Sequence, residues 1–222
     1  MAYTYEYPHL AVTTDVAVFT LQKGELHVLL IRRGNDPFRG AWALPGGFVR
    51  PEEGLEDCAR RELEEETGVS GFYLEQLYTF GAVQRDPRER VLTVAYFALI
   101  PSDRVVLKAS ADADAVAWFP ANRLPELAFD HRDILKAARE RLAAKLDYST
   151  IAFQFMPAVF TLSELQTVYE TIKGEKLDKR NFRKSILALK RLETTGKYKR
   201  EGAHRPAMLY RIKARKGVEI IK

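Results

Sequence analysis

Apolar and polar positions along the first two thirds of the chain alternate between strand-like and helix-like periods. Leu10 to Thr20 (LAVTTDVAVFT) is rich in β-branched and aromatic residues and reads as a strand. Lys23-Gly24 follows as a turn, and His27 to Arg32 (HVLLIR) reads as a second strand. Gly34, Pro37 and Gly40 break the next segment into a loop, after which Ala43 to Phe48 resumes an ordered run. The period then changes: Leu55, Ala59 and Leu63 recur every four residues, giving a helix one face to pack. Phe72 to Val83 and Val91 to Leu99 read as strands flanking the polar loop Gln84 to Arg90, and Asp114 to Phe119 as a further strand. Phe129 opens FDHRDILKAARERLAAKL, a helix with Ile134, Ala137, Leu142 and Leu146 on one side and Asp130 as N-cap. This order predicts an α/β domain, a mixed sheet between helices, over residues 1–148.

Residues 149–222 follow a different plan. Ile151 to Met156 (IAFQFM) reads as an extended stretch packed between the halves. An amphipathic helix then runs through Leu165, Val168, Tyr169 and Ile172, capped by Thr161 or Ser163 and stopped by Gly174. Asp178 caps a second helix, DKRNFRKSILALKRLETTG, with Phe182, Ile186, Leu189 and Leu192 on its buried face and Gly196 at its end. Lys197 to Glu201, Gly202, and Arg205 to Ile212 read as strand, turn and strand. Helix, turn, basic helix and two-stranded wing predict a winged helix-turn-helix, with the second helix presented to a DNA major groove.

Charge sharpens that division. The chain of 222 residues carries +5 overall, but Ser149 to Lys222 holds 17 Lys/Arg against 7 Asp/Glu, a net of +10. Met1 to Tyr148 holds the remaining 18 against 23, a net of −5. An acidic front and a basic back imply two domains with different partners. Lys179, Arg180, Asn181, Arg183 and Lys184 crowd the first turns of the second helix, where recognition helices meet base edges and phosphates. Lys197, Lys199, Arg200, His204 and Arg205 would decorate the wing. Apolar stretches are strand-sized, so no membrane partner is expected. The opening residues lack a signal-peptide pattern. One cysteine, Cys58, excludes an internal disulfide framework and fits a reducing cytoplasm; its own role is packing.

The chemistry concentrates between Gly46 and Val69. Glu62, Glu65 and Glu66 stand at i, i+3 and i+4, on one helical face. Carboxylates crowded in this way, with Glu53 nearby, suit a hard divalent cation, Mg²⁺ or Mn²⁺, held against a pyrophosphate. Arg32, Arg33, Phe38 and Trp42 surround the loop leading in: arginines there can meet phosphates, and aromatic rings can stack on adenine. Arg85 and Asp86 offer similar chemistry opposite, while Trp42 reads equally as core. Glu89 is a candidate general base on chemistry alone, though a solvated loop residue is the commoner reading. His131 lies near a helix start and is not read as a catalyst.

The segment Gly47-x5-Glu53-x7-Arg61-Glu62-Leu63-x-Glu65-Glu66-x-Gly68-Val69 resembles the Nudix box at every defining position. Together with LDKRNFRK (Leu177 to Lys184), TTG (Thr194 to Gly196) and RPAMLYR (Arg205 to Arg211), it resembles the Nudix-related transcriptional regulators, which include the NrtR repressors of NAD metabolism and an arabinose-responsive relative. The resemblance implies a Nudix α/β/α sandwich followed by a winged helix. It implies Glu62 and Glu66 as main metal ligands, with Glu65 alongside and the Gly47 carbonyl contributing, and catalysis resting on Glu65, Glu66 and Arg61. Arg61 would act by pairing with a box carboxylate. Many NrtR-type members bind ADP-ribose through a degraded box without hydrolysing it, whereas this box is complete. Two readings follow: a dimeric operator-binding regulator that senses ADP-ribose or a related nucleotide and is able to hydrolyse it, or an ADP-ribose pyrophosphatase with an accessory basic domain. A sugar-responsive regulator of the arabinose type stands third.

Overall fold

The computed structural model describes residues 6–7, 9–101, 103, 113–200, 206–213 and 217–221. Strands β1 (Ala11–Gln22) and β2 (Glu25–Arg33) form an antiparallel hairpin whose two-residue turn is Lys23-Gly24, both at positive φ. Along β1, Val16 and Val18 face one side of the sheet while Ala17 and Phe19 face the other, and all four are fully buried. Strand β6 (Val91–Leu99) pairs parallel to β1, and its near-continuous apolar run is likewise buried on both faces. Short strands β3 (Trp42–Ala43) and β4 (Gly46–Phe48), with β5 (Tyr73–Phe80) and β7 (Ala113–Pro120), complete a seven-stranded mixed sheet among the described residues.

Two helices cover that sheet. On one face, α1 (Leu55–Thr67) packs Ala59 and Leu63 against Val16, Val18, Leu29 and Tyr96. On the other, α2 (His131–Tyr148) packs Ile134, Leu135, Ala138 and Leu142 against Ala17, Phe19 and Phe97. The expected α/β/α layering is therefore present. Details differ. Leu55 is exposed at the helix start, and Cys58 takes its place on the buried stripe. Ala137 is only partly buried, because Leu135 and Ala138 line the face that meets the sheet. Asp130 occupies the N-cap position of α2 without capping it, since its carboxylate is committed to Arg85. The strand expected to reach Val83 ends at Phe80, and Val83 is exposed.

Beyond α2, the segment expected to be extended is a 3-10 turn, Ile151–Phe155. Its residues Ile151, Ala152, Phe153 and Phe155 are all buried. This largely buried segment meets part of its backbone demand locally, through Phe153 N to Thr150 O at 3.0 Å and Met156 N to Phe153 O at 3.2 Å. Then β8 (Phe160–Thr161) leads into α3 (Leu162–Lys173), which Thr161 and Glu164 start with a reciprocal capping box. Asp178 caps α4 (Lys179–Ala188) by accepting from Asn181 N at 2.8 Å.

Helix α4 is shorter than its periodicity predicts. Lys190 adopts a left-handed φ of 55°, and β9 (Leu192–Lys199) begins at once. Leu192 is buried as expected, but by pairing with Ile212 of β10 (Ala207–Ile212). Gly196 thus lies inside a strand and ends no helix. Tertiary pairing with β10, favoured by Thr194 and Thr195, overrides a helical period. Strands β8, β10 and β9 form one sheet in that order beside α3 and α4, the winged-helix arrangement. Gly202, His204 and Arg205 fall outside the described residues. The core does not stop at Tyr148: Leu142 and Leu146 share one apolar cluster with Ile151, Phe155, Leu162 and Leu165. No helix among the described residues is long and apolar enough to cross a membrane.

Candidate functional site

The box sits where β4 meets β1 and α1. Strand β4 lies so close to β1 that a Cβ on Gly46 would stand 2.1 Å from the Thr14 carbonyl oxygen. A Cβ on Gly47 would stand 2.4 Å from a Glu62 carboxylate oxygen. Backbone fills the space at Gly46, so glycine is needed there, whereas a side chain at Gly47 would displace the Glu62 carboxylate.

Arg61 organises the carboxylates. Its guanidinium donates to both oxygens of Glu53 at 2.9 and 2.6 Å, to Glu62 at 2.6 Å and to Glu65 at 3.1 Å. Hydrogen bonding to Arg61 holds the Glu53 carboxyl down at about 2, and the same bonds push the arginine upward. The positive charge that the acidic face requires is thus supplied in part from within the box. Glu66 is left out of this network. Its carboxylate accepts from Gly46 N at 2.9 Å, and burial, with Glu62 and Asp15 nearby, pushes its pKa up to about 8 despite that bond.

This arrangement fits a hard divalent cation in donor chemistry. Glu66 and Glu62 are oxygen donors whose mutual repulsion a cation would relieve. Glu53 is held by Arg61 through both oxygens, Glu62 and Glu65 through one each, and among the described residues no three His, Cys, Asp or Glu side chains converge in a ready-made cage. The metal-free protein should also show a pH signature. Glu66 keeps its proton to about 8 when folded, against the ordinary 4.5. The stabilisation from that retained proton is complete below the ordinary value and is lost as pH climbs toward the folded one. Thermal melts in chelator from about pH 5 to about pH 8.5 should therefore show a fall in Tm that Glu66→Gln flattens. An equal fall in both proteins would exclude Glu66 as its source.

A second cluster lies beside the box, under the loop 81–90. Arg85 is buried and forks onto Asp130 at 2.7 and 3.0 Å while reaching Asp15 at 3.3 Å. His131 accepts from Leu44 N at 2.9 Å through Nδ1, which leaves Nε2 facing Asp15 at 3.5 Å. Burial pulls its pKa below the ordinary value, so the ring is neutral. Arg85 is therefore a structural ion, spent inside the protein.

Above this base lies a cluster of arginines and aromatic rings. Arg33 lies 4.8 Å from the centre of the Phe129 ring, and Phe38 meets the same ring edge-on at 4.8 Å. Arg88, held bidentately by Asp86, lies 5.3 Å from the Phe48 ring and 6.0 Å from that of Phe129. Burial and the nearby Arg88 lower the pKa of Arg33, outweighing Asp86, Glu66 and Asp15, which raise it. Of the ligand candidates, Arg33, Phe38 and Asp86 come together here. Arg32 is exposed and donates to Gly40 O at 3.0 Å, and Trp42 packs edge-on against Phe119 in the core. Glu89 is exposed.

Asp15, Arg88 and Phe129 escaped the sequence reading. A lone Asp in an apolar strand was the one available signal for Asp15. The positive φ of Phe129, 52°, has no sequence signature.

Comparison with known proteins joins these observations. Residues 11–138 match the NUDIX domain model, and residues 152–212 match that of the NrtR DNA-binding winged helix domain. An ADPR responsive transcriptional repressor, NtrR, of Acinetobacter baylyi is 42% identical over 93% of this chain and 83% of its own. The chain belongs to the NrtR family. The crystal structure of Shewanella oneidensis NrtR complexed with a 27mer DNA superposes with a TM-score of 0.81 at 38% identity, covering 91% of this chain and 93% of that one. An ADP-ribose pyrophosphatase of Methanocaldococcus jannaschii is 39% identical over 59% of this chain and 73% of its own.

In this NrtR-family chain, Lys179, Arg180, Asn181, Arg183 and Lys184 are all exposed on α4. Arg200 is exposed at the end of β9. Lys199 is differently placed: its ammonium donates to Glu164 at 2.7 Å.

Proposed function

We propose that the protein is a transcriptional repressor in which residues 1–148 sense ADP-ribose and residues 149–222 bind operator DNA. One observation carries this reading. A Nudix domain that gathers Arg33, Arg88 and the Phe38 and Phe129 rings beside its box shares one continuous core with a winged helix whose α4 exposes five polar and basic side chains. The arginines suit a pyrophosphate and the rings an adenine. The names of the Acinetobacter and Shewanella relatives support both halves of the proposal. Ligand would favour a placement of the winged helices that fits the operator less well, in a homodimer reading two half-sites.

The test is a gel shift of a palindromic promoter fragment from beside the gene. A shift is expected at low salt, falling steeply as salt rises and relieved by ADP-ribose but not by arabinose. Arg180→Ala with Arg183→Ala should abolish it, and wild-type protein that shifts no such fragment at low salt would refute the reading.

A second reading is favoured by the complete box: the sensor also hydrolyses its effector to AMP and ribose 5-phosphate. Glu62 and Glu66 would hold Mg²⁺ or Mn²⁺, with the Gly47 carbonyl contributing, and the metal would neutralise the pyrophosphate and activate water. Arg61 would fix Glu53, Glu62 and Glu65 in place, and Glu65, the exposed member of that set, is a base candidate beside Glu89.

A further inference from the structure

Between the first turn of α3, the exposed face of α4 and the wing runs a groove of about 750 Å³. Its charged lining is Lys179, Arg183, Lys199 and Glu164. Among the described residues a single carboxylate thus stands among three cations on the surface that would face DNA. It is not loosely placed. One Glu164 oxygen accepts from Thr161 N at 2.6 Å, and the other accepts from Lys199 Nζ at 2.7 Å. Pairing of β8 with β10 at Thr161 and Leu209, and of β10 with β9 at Ala207 and Lys199, fixes the backbones on either side. The cap alone does not explain the second bond, because capping uses only one oxygen, and glutamine serves at this position as well as glutamate.

We propose that Glu164 is a built-in counterion, a specificity-determining residue that keeps Lys199 off the DNA phosphates. The inference rests on the DNA-binding reading given above. Phosphate attraction is blind to sequence and supplies nearly all non-specific affinity. With Glu164 present, the described lining side chains carry two net positive charges in place of three. Operator recognition through base-edge contacts of α4 loses little from this, whereas attraction to arbitrary duplex loses one phosphate contact. The result is a higher ratio of specific to non-specific binding.

Glu164→Gln separates this role from capping, since the amide oxygen still accepts from Thr161 N while the charge is gone. Binding of the purified full-length protein to a random-sequence duplex and to the operator fragment is measured across a salt series. The variant is expected to bind random duplex ~3- to 10-fold more tightly at about 0.1 M salt, with a log–log salt slope steeper by about one, and to gain less on the operator. Unchanged affinity and slope would overturn the proposal, as would an equal gain on both duplexes. Lys199→Met leaves the capping box untouched and gives an independent reading. If Lys199 is held by Glu164, its loss weakens binding but leaves the slope as in wild type. A slope shallower by about one would mean that Lys199 already contacts phosphate, and the proposal would fall. Wild-type protein that binds neither duplex at low salt refutes the DNA-binding reading itself, an outcome distinct from both.

Discussion

Replacing Arg85 with Ala is expected to cost about 3–5 kcal/mol of folding stability, the largest effect of any single polar substitution considered for this protein. Its side chain is 3% exposed, and it is the cation between Asp130 and Asp15, whose side chains are 17% and 10% exposed. Removing it leaves two carboxylates facing each other in a poorly hydrated site beside a neutral His131. Desolvation that the pair tolerated becomes uncompensated, which is why breaking a buried pair costs more than the pair contributes. Lysine should rescue only in part, since a single ammonium lacks the fork that meets both Asp130 oxygens. Urea unfolding at neutral pH is the measurement, and a loss under about 1 kcal/mol would mean that water reaches the site and screens the acids.

The second large effect is expected on catalysis. Glu62→Gln together with Glu66→Gln should reduce AMP release from ADP-ribose in Mg²⁺ by at least ~10²-fold, since they remove the two carboxylates assigned to the metal. Glutamine preserves volume beside Gly46 and Gly47, so ligand-free operator binding should persist. That split makes the result informative. Loss of turnover with DNA binding kept would place hydrolysis at the box. Turnover that survives would put the chemistry elsewhere, and absence of turnover in wild type would leave a pure sensor.

The fold was readable because its two layers impose different periods. Strands buried on both faces produce unbroken apolar runs such as Val91 to Leu99, and α1 and α2 keep recognisable stripes. Reading failed where a tertiary partner outvoted local pattern. Leu192 has the right spacing for a helix and the right side chain for a strand, and only pairing with Ile212 decides between them. The site divides in the same way. Box carboxylates are adjacent in sequence and announce themselves. Arg85 looked like a ligand residue because an arginine in a polar loop gives no hint that Asp15, 70 positions earlier, is waiting for it. Arg88 and Phe129 meet only after the loop 81–90 folds over the start of α2. No run of nearby residues encodes that meeting.

The shared core across Tyr148 has a mechanical consequence. Proteins that join sensor and effector modules by a slack tether transmit a signal by changing how often the modules meet. Here Leu146, Ile151 and Leu165 belong to one packed body, and Thr171 of α3 hydrogen-bonds Gly24 in the β1–β2 turn at 3.0 Å. A displacement in the sheet would therefore meet packed side chains and a hydrogen bond on its way to α3, with no slack between them.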